Sequence, residues 1–97
     1  MYGTIARMRV KPGNEDRLAE LLREFEDLDI PGYRGTFVYR LEGAPSEHLL
    51  AVMFDSKEQY VANASSPEQN ERYLEYLELL EGEPEWNDGE IVYHVSR

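Results

Sequence analysis

Ninety-seven residues make one domain and leave no room for two. Twenty Asp and Glu against ten Lys and Arg give a net charge of −10, a field that repels phosphate backbones and anionic lipid and argues against nucleic-acid or membrane partners. The absence of cysteine excludes disulfides and thiolate chemistry, no apolar run nears the roughly 20 residues of a membrane span, and no signal-peptide pattern opens the chain, so a cytoplasmic protein is expected.

Residues 2–10 (YGTIARMRV) alternate imperfectly and run into Lys11-Pro12-Gly13, which reads as a strand closed by a turn. A helix is predicted over 14–28, with Asn14 as its cap and Glu15 and Asp16 at the positive end of its dipole. Leu18, Leu21, Leu22, Phe25 and Leu28 form its buried stripe, and Glu20, Glu24 and Asp27 its wet side. Pro31-Gly32 ends the segment. Strands are predicted over 33–42 and 47–54, joined through Gly43-Ala44-Pro45-Ser46 as an antiparallel hairpin. The run from Leu49 to Phe54 has no polar face, so both sides of that strand should be buried.

Ser56-Lys57-Glu58-Gln59 has the form of a capping box and opens a short helix. Ser66-Pro67-Glu68-Gln69 repeats the signal with proline at the first helical position, and Tyr73, Tyr76, Leu77 and Leu80 then face inward. Gly82 ends this helix. Residues 82–90 read as a loop whose Asp88-Gly89-Glu90 is a turn, and 91–95 as the last strand.

The order strand, helix, strand, strand, helix, strand is the ferredoxin-like βαββαβ arrangement, an α+β fold with a four-stranded antiparallel sheet. Right-handed crossovers put the helices on one face. The other face would expose more apolar surface than the few hundred Å² monomers tolerate, so a homodimer through the open sheet face is expected.

Few residues invite chemistry. His48 and His94 have no His, Asp or Glu at metal-ligand spacing, so no metal site is expected. They read as strand histidines, His48 partly exposed and His94 in the dimer interface. No glycine-rich phosphate loop or nucleophile motif occurs. Tyr60 and Tyr73 are placed to face Met8 and Phe54 across a cleft between helices and sheet, which suits a flat aromatic guest; the plainer reading makes them core residues. Trp86 reads as a loop residue that plugs the partner subunit.

The segments RMRVKPGNEDRLAELL and LLAVMFDSKEQYVANASSPEQNERY resemble the antibiotic biosynthesis monooxygenase (ABM) family of dimeric α/β barrels, and the similarity spans nearly the whole chain as a single domain, 1–97. The resemblance implies one ligand cleft per subunit, between sheet and helices. Members include cofactor-independent monooxygenases that oxidise phenols or quinols with O₂, and heme-degrading enzymes. In the aromatic oxygenases an Asn, a Trp and a Tyr surround the substrate; aligned on the Ser that caps the second helix, these positions are Leu50, Phe54 and Tyr60, and only the tyrosine is kept. Heme degraders need an Asn in the first strand and a Trp and a His on the helical half. The first strand has no Asn and residues 56–82 hold neither Trp nor His, so heme degradation is disfavoured.

The implied function is thus a cofactor-independent monooxygenase acting on a small aromatic phenol or quinol, with no cofactor. Tyr60 would be the catalytic polar contact, and Met8, Phe54, Tyr73 and Leu77 would shape the pocket. The alternative is a non-catalytic dimeric module binding a small aromatic metabolite. An isomerase or decarboxylase would need a general base that the sequence does not reveal.

Overall fold

The computed structural model describes the backbone of residues 1–97 and every side chain except that of Phe25, whose expected inward place lies outside the described residues. The elements in chain order are β1 (Tyr2–Arg9), α1 (Glu15–Arg23), a single 3₁₀ turn (Glu24–Asp27), β2 (Tyr33–Leu41), β3 (Ala44–Phe54), α2 (Lys57–Ala64), α3 (Pro67–Leu79) and β4 (Asp88–Glu90). The strands form one antiparallel sheet in the order β2-β3-β1-β4, the ferredoxin-like α+β topology.

Two of the three helix starts follow their sequence signals. The Ser56 hydroxyl accepts from the Gln59 amide at 3.2 Å and the Ser66 hydroxyl from the Gln69 amide at 3.1 Å, with Pro67 in the first turn of α3. Asn14 does not cap α1. Its own amide donates to the Lys11 carbonyl at 3.1 Å, which holds it at φ −98°, ψ 4°, outside the extended region a capping residue needs. The end of α1 also differs from expectation. It tightens into the 3₁₀ turn, where side chains advance by about 120° per residue, and this rotates Leu28 out of the buried stripe to 38% exposure.

The hairpin is tighter than predicted. Leu41 pairs with Ala44, so the connection is only Glu42-Gly43, and the irregularity between Arg40 and Leu41 absorbs the extra length. Register then fixes the faces. Thr4, Ala6 and Met8 of β1 and Val10 just beyond it, with His48, Leu50, Val52 and Phe54 of β3, look toward the helices; Ile5, Phe37, Leu49, Ala51 and Met53 look the other way. Met8, Val10, Leu18 and Leu80 form the buried core beneath α1 and α3. Gly3 is required by close approach, because a Cβ there would fall 1.9 Å from the Val52 carbonyl oxygen.

The last strand departs most from expectation. The segment first meets β1 at Glu81, whose amide donates to the Arg9 carbonyl at 2.8 Å; Glu85 then exchanges two backbone hydrogen bonds with Arg7, and the pairing ends where the Ile91 amide donates to the Met1 carbonyl at 2.9 Å. Asp88-Gly89-Glu90 is therefore strand, not turn, and 91–95 is not strand. The ladder between β4 and β1 reaches no further than the Ile91 amide on the Met1 carbonyl. Val92, Tyr93 and Val95 are consequently 88%, 81% and 65% exposed. Among the described residues no helix is long and apolar enough to cross a membrane.

Candidate active site between sheet and helices

The helix-facing side chains of β1 and β3 make an apolar floor from Met8, Leu50, Val52 and Phe54. Tyr73 and Tyr76 of α3 and Leu22 of α1 roof it, and Trp86, on the segment leading to β4, closes one side. The space enclosed is small, about 90 Å³. An apolar cavity of about 150 Å³ is known to admit one benzene ring. The inner cavity is smaller than that.

Beside it lies an open groove of about 420 Å³, lined by residues of α2 and α3 including Tyr60 and Asn70, with Trp86 and Asp88 opposite. Asn63, Gln69, Tyr73 and Trp86 line both spaces and so form the wall between them. The Tyr73 and Trp86 rings stand 5.9 Å apart at 52°, a tilted aromatic contact across that wall.

Tyr60 sits at the edge of the groove. Its ring packs against Tyr2 at 5.4 Å and edge-on to Phe54 at 5.7 Å. Its hydroxyl donates to Asp88 Oδ1 at 2.8 Å. Burial, reinforced by the Asp88 carboxylate, pushes the phenol's pKa well up, against a smaller opposing effect of the neighbouring Thr4 hydroxyl. Tyr60 is therefore a neutral hydrogen-bonding group and not a base in its own right. Burial likewise pushes the Tyr76 phenol up, with Glu24 adding to the effect.

The comparisons with known proteins bear on this architecture. The sequence profile described as antibiotic biosynthesis monooxygenase matches residues 1–72, nearly three quarters of the chain. The chain belongs to the ABM family. A Chloroflexus aurantiacus protein classed with the antibiotic biosynthesis monooxygenases is 25% identical, with a TM-score of 0.78 over 98% of this chain and 96% of its own. A Mycobacterium tuberculosis protein is 20% identical, with a TM-score of 0.76 over 98% of each chain. A Nitrosomonas europaea protein of unknown function is 19% identical, with a TM-score of 0.76 over 99% of this chain and 93% of its own. The latter two show the shared fold. None of the curated proteins matches this sequence.

Within the ABM fold the predicted site residues divide. Met8, Phe54 and Tyr73 line the inner cavity together. Tyr60 lines the outer groove and not the inner cavity. Leu77 lines neither space, because α3 turns Tyr73 and Tyr76 to the cleft and the next apolar group to reach it is Leu80. Trp86 lines both spaces within its own subunit, a place the loop reading did not give it.

The histidines stand apart from the groove. His48 is buried, not partly exposed, since its register partner is Met8 and the strand alternation turns it inward; its Nδ1 lies 3.2 Å from the Ser46 carbonyl. His94 lies in the exposed tail. Among the described residues no three His, Asp or Glu converge as metal ligands.

Asp88 is the residue that sequence reasoning missed. Its neighbours Gly89 and Glu90 give a turn signature, and only its pairing with Thr4 turns its carboxylate toward Tyr60.

Proposed function

We propose that this ABM protein binds a small aromatic phenol or quinol in the outer groove and oxidises it with O₂ without a cofactor. The observation that carries the reading is the groove itself, large enough for an aromatic ring and walled by Tyr73, Trp86 and Tyr60, with one phenol hydroxyl held at its edge. Aromatic faces favour a flat guest, and a hydroxyl fixed by Asp88 can orient the guest's own oxygen.

The chemistry needs little from the protein. An electron-rich phenol loses its proton, and the resulting anion has carbanion character at ring carbon. That carbon donates electrons to O₂ and forms a C–O bond, giving a peroxide. Where the carbon carried two hydrogens, loss of water from the peroxide leaves a carbonyl; one oxygen atom enters the product and the other leaves as water. The protein supplies orientation, a sheltered site and a path for the proton.

A second reading is kept because Leu50 and Phe54 line the inner cavity with hydrocarbon alone. It makes the chain a non-catalytic module that binds the same class of guest. A panel of hydroquinones and anthrone-like phenols, scored for oxygen uptake and for thermal shift, separates the two. Oxygen uptake with a raised melting temperature is the expected result. Saturable binding without uptake favours the module, and no shift with any compound removes the groove as a phenol site.

The assembly proposed is a homodimer through the open sheet face, where Ile5, Phe37 and Tyr39 are about half exposed, at 54%, 54% and 49%. Light scattering should give twice the 11.3 kDa chain mass.

A further inference from the structure

Oxidation of a phenol or quinol requires that its proton go somewhere, and neither histidine is at the groove. Asp88 is. It lines the groove and accepts the Tyr60 hydrogen bond at 2.8 Å, while its carboxylate also meets solvent. We infer that Asp88 is the terminal proton acceptor of the groove, reached through the hydroxyl of Tyr60. This rests on the reading of the groove as a phenol or quinol site.

The direction of the hydrogen bond decides the roles. A phenol has one proton to donate, and Tyr60 gives it to Asp88; with the Thr4 hydroxyl beside the same oxygen, one lone pair is left to accept from a guest. In the transfer the guest's O–H bond breaks and its proton passes to Tyr60 Oη, as the Tyr60 O–H bond breaks and that proton passes to Asp88 Oδ1. The guest ends as the anion, Tyr60 is neutral again, and Asp88 is a carboxylic acid; no electrons are exchanged in this step. Asp88, on the wet side, then returns its proton to water. The high pKa of the Tyr60 phenol fits a conduit that does not itself hold a negative charge.

The relay also restricts the guest. An ordinary phenol and an ordinary carboxylic acid differ by about six pKa units, so only a trace of the anion forms at any moment. O₂ must consume it, and the rate should climb as the guest's hydroxyl becomes more acidic. Polyhydroxylated rings and phenols beside a carbonyl are therefore favoured over simple alkylphenols.

Other charged or titratable groups border the relay. From β1 Tyr2 packs on Tyr60; from α2 Lys57 places its ammonium 5.9 Å from the Tyr2 ring centre; from β4 Glu90 pairs opposite Tyr2. None of these replaces the carboxylate that accepts the Tyr60 proton.

The test uses Asp88→Asn, which keeps an oxygen acceptor for Tyr60 but removes the base, and Tyr60→Phe. The first probe is para-nitrophenol, titrated by its absorbance while bound. Ionising it beside Asp88 would place two negative charges on one hydrogen-bonded chain, so its bound pKa should lie about one unit above the free value in the native protein. In Asp88→Asn it should fall back toward the free value. An unchanged bound pKa in that variant overturns the relay whatever the enzyme's activity, and a native protein that does not bind the probe overturns relay and phenol site together.

The second arm is oxygen uptake with whichever phenol the native protein oxidises. Asp88→Asn should lose about a hundredfold in kcat at little change in KM, together with the acid limb of the pH profile. The double variant should be no slower than the slower single. A fall in rate that leaves the pH profile unchanged assigns Asp88 a structural part only. If the native protein oxidises nothing while the probe's pKa still responds to Asp88, the oxidation fails and the Tyr60–Asp88 contact with the guest stands.

Discussion

The two faces of the sheet are fed by the same strands yet have opposite fates. On β3 six apolar residues in succession send Leu50, Val52 and Phe54 to the helices and Leu49, Ala51 and Met53 to the open side. On the helical side the apolar floor is closed except for a small cavity and a groove, and polar groups stand at the rim: Tyr60, Asp88, Asn63 and Gln69. The open side carries polar groups at one margin only, where Asn87, Glu90 and His94 border a hollow of about 340 Å³. It offers Ile5, Phe37 and Tyr39 to solvent, with an ion-paired cluster of Arg7, Arg9 and Glu47 at one end. An apolar surface becomes a candidate site where polar groups border it in a concave setting, and a candidate interface where it is broad and exposed.

The sharpest way to break the contrast is to remove apolar bulk from each face in turn. Phe54 is 1% exposed, so Phe54→Ala should cost about 3–5 kcal/mol by denaturant titration. A cost below about 1 kcal/mol would mean that the floor of the cleft is not packed as described. Phe37 is 54% exposed in the single chain, and Phe37→Asp should change the chain's own stability by only about 0.5 kcal/mol. Its effect should fall on mass, dispersing the dimer to 11.3 kDa by light scattering. A variant that stays dimeric would move the interface off this face.

The smallest effect expected belongs to Glu47. Its hydrogen bonds to Arg7 and Arg9, with their charges, hold its carboxyl below the ordinary value of 4.5. A lowered folded pKa stabilises above the unfolded value, and that contribution is lost as pH falls from about 4.5 through the folded pKa. Glu47→Gln should therefore flatten the acid side of a melting-temperature profile slightly and leave it unchanged near neutrality, apart from the loss of an exposed ion pair. A change confined to alkaline pH would contradict this assignment.

How much of this was legible in the sequence depends on how local each signal is. The caps at Ser56 and Ser66 were readable because a hydroxyl three residues before an amide acts within one turn. The order of elements, and with it the ferredoxin-like topology, followed from turn residues and periodicity. Met8, Phe54 and Tyr73 line the inner cavity together because the strand or helix that carries each one fixes which way it looks. Where local signals misled, a neighbour had intervened: the Lys11 carbonyl captured the Asn14 amide, and the 3₁₀ turn took Leu28 off its stripe.

The end of the chain shows the boundary most clearly. IVYHV carries every residue preference of a strand, and DGE carries those of a turn, yet DGE is the strand. Strand propensity is only a preference until a partner supplies hydrogen bonds, and β1 supplies them to Asp88–Glu90 and not to the residues after Ile91. That register, set by residues more than eighty positions apart, also turned Asp88 toward Tyr60 and brought Trp86 beside Tyr73. The sequence alone determined the order of the elements and the caps at Ser56 and Ser66, because turn residues, periodicity and capping depend on neighbours along the chain. Only the tertiary structure decided where the last strand lies and which polar groups meet at the groove, because pairing register is a property of two segments at once and neither one encodes it.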